Sequence, residues 1–285
     1  MAAITIGLPV YNEGELLRGS LETLARQTFT DFEVLIYDNA STDNTGEVAQ
    51  SFASRDPRFH YFRQSENKGA LPNFYDCLLA AKAEYFLWRA ADDRSDDNYL
   101  EVLHGLLEGD TSKSLAVGIV QSAMLDGKIK RIVRNFPDQT RNSLTVIFKL
   151  LRSSHASWIY GLFRRERLTD VMHKIIQQYP NSWAFDHLVL FPYLIDNSVA
   201  TSSETTFYQV IKRLSTDKAS PTRWPISATE MIHLRQQFSK IAKQFICDSS
   251  LNAFRKAAIR ILLPLHTSKR VAKLRKIIWQ KILFS

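Results

Sequence analysis

Toward the N-terminus, short apolar runs alternate with stretches whose apolar positions recur every three or four residues. The runs are AITIGLP (3–9), FEVLIYD (32–38), FHYFR (59–63) and EYFLWRA (84–90). Between and after them, residues 13–26, 43–54, 70–82 and 96–107 carry the helical period. Such alternation predicts βαβ units and a mostly parallel sheet flanked by helices. After residue 110 the rhythm changes: LAVGIVQSAM and KIKRIVRNF flank Asp126-Gly127, a hairpin signal. Then come a helix near 141–152, a strand WIYGLF (158–163), a helix from Arg165 and a helix through AFDHLVLFPYL. From about residue 226 the pattern is all helical.

The chain has 285 residues, 45% of them hydrophobic, enough to bury a large core, and no low-complexity segment or repeat. Cys77 and Cys247 stand far apart without metal-ligand neighbours, which argues against a disulfide framework or zinc site. AITIGLP follows the first residues at once, so no secretion signal is expected. No apolar run approaches the roughly 18–20 residues that span a bilayer, and the expected compartment is the cytoplasm. The net charge of +8 is uneven. From Pro225 to Ser285 there are 12 Lys and Arg against Glu230 and Asp248, so this segment carries the whole positive excess. Within it Val271, Leu274, Ile278 and Ile282 share a helical face, and most of the basic residues lie elsewhere. Such a helix docks on an anionic membrane surface or packs on protein. Nucleic acid is not expected, because surface aromatics are not interleaved with the charges and no known binding module is present.

In parallel sheets, ligands bind at the carboxyl ends of the strands, so the residues just after each run matter most. They are PVYNE (Pro9 to Glu13), DNASTDNT (Asp38 to Thr45), ENKG (Glu66 to Gly69) and the pair Asp92-Asp93. None is a glycine-rich phosphate loop.

In order and spacing these motifs resemble family-2 glycosyltransferases of the GT-A fold. Pro9, Tyr11, Asn12 and Glu13 match the family's opening P-x-Y-N-E. Asp38, Asn39, Ser41, Asp43 and Thr45 match its D-[DN]-x-S-x-D-x-T, and Asn67 and Gly69 its N-x-G. AADD resembles its acidic strand end, with Ala90 where an acid is usual. YGLFRRERL (160–168) and WAFDHL (183–188) resemble its acceptor-site and catalytic-base segments. The resemblance, over roughly residues 3–215, implies a GT-A-like α/β fold and inverting transfer of a sugar from a nucleotide-diphosphate donor, with Mn²⁺ or Mg²⁺. It divides the chain into a nucleotide-sugar-binding half (1–110), an acceptor-binding half (111–224) and a basic helical tail (225–285).

On this reading Asp38 accepts a hydrogen bond from N3–H of uracil or thymine, or else caps the following turn. Pro9, Tyr11 and Glu13 border the nucleotide. Lys68 reaches the diphosphate or remains an exposed turn lysine. Asp93 ligates the metal, and Asp92 reaches the ribose, the metal or its water. Asp96 and Asp97 serve the start of the next helix. Asp186 is the candidate general base, since burial near a helix start raises a carboxyl pKa. Trp183, Trp158 and Tyr160 are candidates for an acceptor platform, and Lys212 and Arg213 for phosphate contact. A glycan or lipid-linked acceptor at the membrane would explain the basic tail, with the protein peripheral on the inner face of the membrane; the family resemblance implies a place in surface-polysaccharide synthesis. The alternatives are a catalytically degenerate sugar-nucleotide or glycan-binding module, suggested by Ala90, and a sugar-nucleotide pyrophosphorylase. The pyrophosphorylase would need a glycine-rich loop where PVYNEGELL stands.

Overall fold

The structure is a computed structural model that describes residues 2–134, 143–179, 181–211 and 227–271. The chain forms two compact units. Met1–Phe136, Ser157–Asp170 and Val199–Lys212 make the first; Pro137–Ala156, Val171–Ser198 and Arg213–Ser285 make the second.

In the first unit the four apolar runs become β1 (Ile4–Val10), β2 (Phe32–Asp38), β3 (Phe59–Arg63) and β4 (Tyr85–Trp88). They lie parallel in the order β3-β2-β1-β4. The connecting helices are α1 (Gly14–Ala25), α2 (Thr45–Ala53) and α3 (Ala70–Ala80). β4 is buried at every position, which explains why its sequence is a continuous apolar run rather than an alternation. Leu17, Leu21 and Leu24 of α1 share the core with Ile4, Ile6, Leu8 and Val34. The spacing of those leucines by four and three residues puts them on one helical stripe.

The rest of this sheet departs from the expected pattern. The acidic segment forms a two-residue strand, β5 (Arg94–Ser95), before α4 (Tyr99–Gly109). The hairpin is β6 (Leu115–Met124) and β7 (Ile129–Val133), with Gly127 at φ 81° in the turn, where a β-carbon would be strained. WIYGLF is not one strand. Residues Ala156–Tyr160 make a 3-10 turn, and β8 (Leu162–Arg164) begins only after Gly161. A β-carbon on Gly161 would sit 2.4 Å from the Ala116 carbonyl oxygen, so this close approach of chains excludes any side chain.

β9 (Val199–Ile211) was not foreseen from the sequence. It pairs parallel with β6 along most of its length and antiparallel with β5. The polar stretch TSSETT near the start of β9 hides it, because it carries no apolar alternation and Ser203 and Glu204 are exposed.

The described elements of the second unit are α5 (Leu144–Ser153), the later part of α6 (Arg165–Gln178), α7 (Phe185–Ile195), α8 (Ala228–Asp248) and α9 (Ala253–Arg270). α7 is buried on nearly every side, as its almost wholly apolar sequence requires. α8 starts with a capping box between Ser227 and Glu230, and Asn252 caps α9 by accepting from the Arg255 N–H. Over its described part the basic tail packs on the end of α5. Lys269 donates to the carbonyl of Arg152, and Arg270 to those of Leu151 and Ser154, at the C-terminal end of α5. Cations suit that end because its carbonyls lack helical partners. Leu274, Ile278 and Ile282 lie outside the described residues. Among the described residues, no helix is long and apolar enough to cross a membrane.

A β-carbon on Gly7, in the middle of β1, would lie 2.6 Å from the Phe86 ring and 2.8 Å from the Cys77 β-carbon. Gly7→Ala is expected to destabilise the protein by about 1–3 kcal/mol through overpacking. In urea the unfolding midpoint should fall while the slope stays constant.

Candidate functional site

The parallel register places Val10 beside Asp38 and Asp38 beside Arg63, so β1, β2 and β3 end on one edge. β4 runs the same way, with Gly7 opposite Trp88. One residue beyond the strands, the Asn39 N–H still donates to the Val10 carbonyl and the Gln64 N–H to that of Asp38; past that point side chains supply many of the partners.

Asn12 (φ 53°) and Ala40 (φ 60°) turn the two neighbouring loops through the left-handed region. Three consecutive amides at the start of α1 then find acceptors in the DNASTDNT loop. Asn12 N–H donates to Ser41 Oγ, Glu13 N–H to Thr45 Oγ1 and Gly14 N–H to Asp43 Oδ2, at 2.9–3.2 Å. In return the Thr42 amide donates to Asn12 Oδ1. Ser41, Asp43 and Thr45 therefore serve the start of α1, and Asp43 Oδ1 also accepts the Thr45 N–H at the start of α2. Burial would raise the Asp43 pKa, but the bonds from Thr45 and Gly14 outweigh it and the pKa is lowered.

Asp38 lies at the centre of this lacework and is fully buried. Its Oδ1 accepts from the Ser41 amide; its Oδ2 accepts from the Tyr61 hydroxyl at 2.7 Å and from Arg63 Nη1 at 3.0 Å. Of its two expected roles the geometry supports the turn cap. A nucleobase would have to compete with three internal donors for a carboxylate that has no solvent face. Asn39, which the sequence reading matched to the motif without giving it a task, joins the third loop. Its Nδ2 donates to Asn67 Oδ1 and the Gly69 carbonyl, and its Oδ1 accepts from the Lys68 amide.

Of the residues expected to border the nucleotide at this edge, Tyr11 is 43% exposed, Pro9 and Glu13 are half-buried and Lys68 is exposed. The Lys68 ammonium lies 3.2 Å from Asp76 Oδ2 on α3. That exposed pair holds the lysine loosely.

The acids after β4 divide by depth. Asp92 is half-exposed, whereas Asp93 is buried and accepts the Val210 N–H of β9 at 2.8 Å. Asp96 accepts from the Thr206 N–H and the Tyr208 hydroxyl of the same strand, both at 2.8 Å. Carboxylates of Asp93 and Asp96 thus continue the pairing of β5 with β9 beyond its two residues. Asp97 faces Arg26 at 3.5 Å. Asp96 and Asp97 are structural as expected, but through β9 and α1; Asn98 holds the cap position of α4.

Arg89 carries no sequence signal for its role. It is fully buried one residue beyond β4 and donates Nη2 to Ser95 Oγ at 2.7 Å. Its guanidinium lies 5.3 Å from the Phe207 ring centroid and 5.9 Å from that of Tyr99. Nε and Nη1 have no partner among the described residues. Burial lowers its pKa, while the charges of Tyr99 and Asp93 oppose the shift. A cation beneath the acidic segment offsets part of the repulsion among its carboxylates.

One of the expected acceptor aromatics is placed otherwise. Trp158 is 1% exposed and belongs to the core, so it cannot offer a face to a sugar. Tyr160 stacks on Phe207 with ring centroids 5.2 Å apart. In the second unit, the Trp183 indole N–H donates to the Val271 carbonyl at 2.9 Å, which fixes the ring against α9. Lys212 and Arg213 lie outside the described residues.

Asp186 stands in the first turn of α7, behind Ala184 at φ 57°. Its Oδ1 accepts the His187 N–H at 2.7 Å. Burial raises its pKa; the His187 amide and the positive charges of His155 and Arg270 pull the other way without cancelling the rise. The His187 imidazole is pushed down to about 3 by burial, helped by Arg270 and Lys269, so it is neutral at physiological pH.

With this geometry in place, the description "Glycosyl transferase family 2" matches residues 5–171, more than half of the chain. The chain belongs to glycosyl transferase family 2. A relative is the glycosyltransferase GlyG of Streptococcus pneumoniae, 32% identical over 101 residues, which are 35% of this chain and 34% of GlyG. The matched part is thus about a third of that relative. Among solved structures, TarS 1–349 of S. aureus in complex with UDP-GlcNAc superposes with a TM-score of 0.71 at 16% identity, covering 94% of this chain and 73% of that one. The mannosyltransferase PcManGT of Pyrobaculum calidifontis, in complex with GDP-Man and Mn²⁺, gives 0.54 at 15% identity, covering 94% and 72%. The fold of this family-2 chain is the GT-A-like α/β fold. The family match ends before Asp186, so the reading of that residue rests on its own surroundings.

Two outcomes follow from the geometry. Asp93→Ala should cost about 1–3 kcal/mol in a urea melt, because the Val210 N–H loses its acceptor. For Asp186, the folded pKa lies above the unfolded one, so the folded state binds more protons between the two values. Stability is then lost as pH rises from the ordinary carboxylate range through the raised pKa. Asp186→Asn removes that loss. The variant should melt above the wild type at neutral pH, and the difference should vanish in acid, as read by thermal melts across pH.

Proposed function

We propose that this chain is an inverting glycosyltransferase that moves a sugar from a nucleoside-diphosphate donor, UDP- or dTDP-linked, to a glycan or lipid-linked acceptor in surface-polysaccharide synthesis. Family membership and the strand-end edge support donor binding at Pro9, Tyr11, Glu13, Lys68 and Asp92. The UDP-GlcNAc bound by TarS supports a uridine nucleotide. The observation that carries the catalytic reading is Asp186: a carboxylate at the start of a buried helix, with its pKa raised by its surroundings.

Among the described residues no group of three or more His, Cys, Asp or Glu is placed to hold a metal ion. A divalent ion bound through substrate phosphates needs only one or two protein carboxylates. The half-exposed Asp92 meets that requirement, and Asp93, anchored to β9, holds Asp92 in position. When bound, Mn²⁺ or Mg²⁺ would neutralise the charge that builds on the departing diphosphate.

The acceptor hydroxyl oxygen attacks the anomeric carbon as its bond to the diphosphate oxygen breaks. Asp186 takes the hydroxyl proton, and the leaving diphosphate keeps the bonding electron pair. A raised pKa makes the carboxylate a stronger base than an exposed aspartate, provided it stays ionised at the working pH.

Calorimetric titration with UDP, dTDP, GDP and CDP, each with Mn²⁺ and with EDTA, tests the donor site. Metal-dependent binding of UDP or dTDP that is lost in Asp92→Asn is the expected result. No binding to a folded protein would favour a degenerate binding module and make Ala90 its explanation. Asp186→Asn should leave the donor dissociation constant unchanged and lower transfer by roughly 10²–10⁴-fold. Near-normal transfer would remove Asp186 from the mechanism.

A further inference from the structure

α9 presents an apolar face to solvent. Phe254, Ile261 and Leu265 are 73%, 76% and 69% exposed. With the smaller Ala257 and Ala258 they recur at three- and four-residue spacing, so they line one side of the helix over about 16 Å. The opposite side, Ile259, Leu263, His266 and Thr267, is buried. Exposed large apolar side chains in a row, rather than singly, mark a surface that meets something.

The charges around the stripe indicate what it meets. α9 contains Arg255, Lys256, Arg260, Lys269 and Arg270 and no acidic residue. Arg260 and Lys269 are exposed, bonded to Cys247 and to the Arg152 carbonyl, whereas Lys256 turns to the Cys247 carbonyl on the side away from the stripe. The whole segment from Pro225 to Ser285 holds only two acids. A second copy of this chain would bring the same positive segment against this one and repel it. A nucleic acid would neutralise the charge but leave Ile261 and Leu265 in water. An anionic bilayer surface satisfies both features, with phosphate headgroups for the cations and acyl chains for the stripe.

We infer that the α9 face formed by Phe254, Ile261 and Leu265 seats the protein on an anionic membrane surface. The helix lies in the interfacial plane and does not cross it. The inference deepens the reading of a lipid-linked acceptor, because docking would hold the enzyme where such an acceptor resides. It differs from the sequence expectation, which put the membrane face on Val271, Leu274, Ile278 and Ile282.

The test is co-sedimentation of the full chain with vesicles of phosphatidylcholine, with and without phosphatidylglycerol. The comparison protein is the triple variant Phe254→Ser, Ile261→Ser, Leu265→Ser. These side chains are exposed, so the variant should fold, which a thermal melt verifies. The wild type should sediment with the phosphatidylglycerol vesicles, less so at high salt, and the variant should bind roughly tenfold more weakly or worse. Equal binding by the variant, or no wild-type binding to anionic vesicles, would overturn the inference. So would a wild-type dimer, seen by light scattering, that dissociates in the variant while vesicle binding persists. Nucleotide titration of the same preparations, without vesicles, shows separately whether the donor reading stands.

Discussion

The polar edge of the first unit depends on the shared register of β1, β2 and β3. Because the strands are parallel, their carboxyl ends fall together, with Val10, Asp38 and Arg63 side by side. Each end also releases backbone groups that the sheet no longer satisfies. The P-x-Y-N-E and D-N-x-S-x-D-x-T segments answer that need in each other: side chains of the second receive amides of the first. Asp38 closes the arrangement from below and Asn39 extends it to the loop before α3. Much of the motif is therefore scaffold. It leaves Tyr11 and Lys68 exposed and Pro9 and Glu13 half-buried at the edge.

The acidic segment after β4 obeys the same economy. Four aspartates within six residues repel one another, but two of them act as ladder acceptors for β9 and a third faces Arg26. Arg89 adds a buried positive charge at the root of the segment. Asp92 is left at intermediate depth, next to a neighbour that cannot move without breaking a strand contact.

The second unit sets a different balance. α7 is apolar on nearly every side, yet it begins with Asp186 and His187. The same burial raises one pKa and lowers the other. Keeping an ionised carboxylate there costs stability. The basic segment also has two tasks. Lys269 and Arg270 finish α5, while the outer face of α9 stays apolar.

The four parallel strands and their helices were legible in the sequence because burial on both sheet faces writes continuous apolar runs, and packing on one side writes a 3.6-residue period. The motif spacing likewise disclosed the family and the edge where its residues gather. β9 was not legible, since its stretch TSSETT is wholly polar and its partner β6 lies far away in sequence. Nor were the tasks of individual acids. Asp38, Asp92, Asp93 and Asp96 are chemically identical in the sequence, and only the fold makes one a hub, one half-exposed and two into strand acceptors. Local order is encoded by neighbouring residues, so the sequence by itself determined the elements. The role of a carboxylate depends on how deeply it lies and which donors reach it, and those donors come from segments that only the tertiary structure brings together.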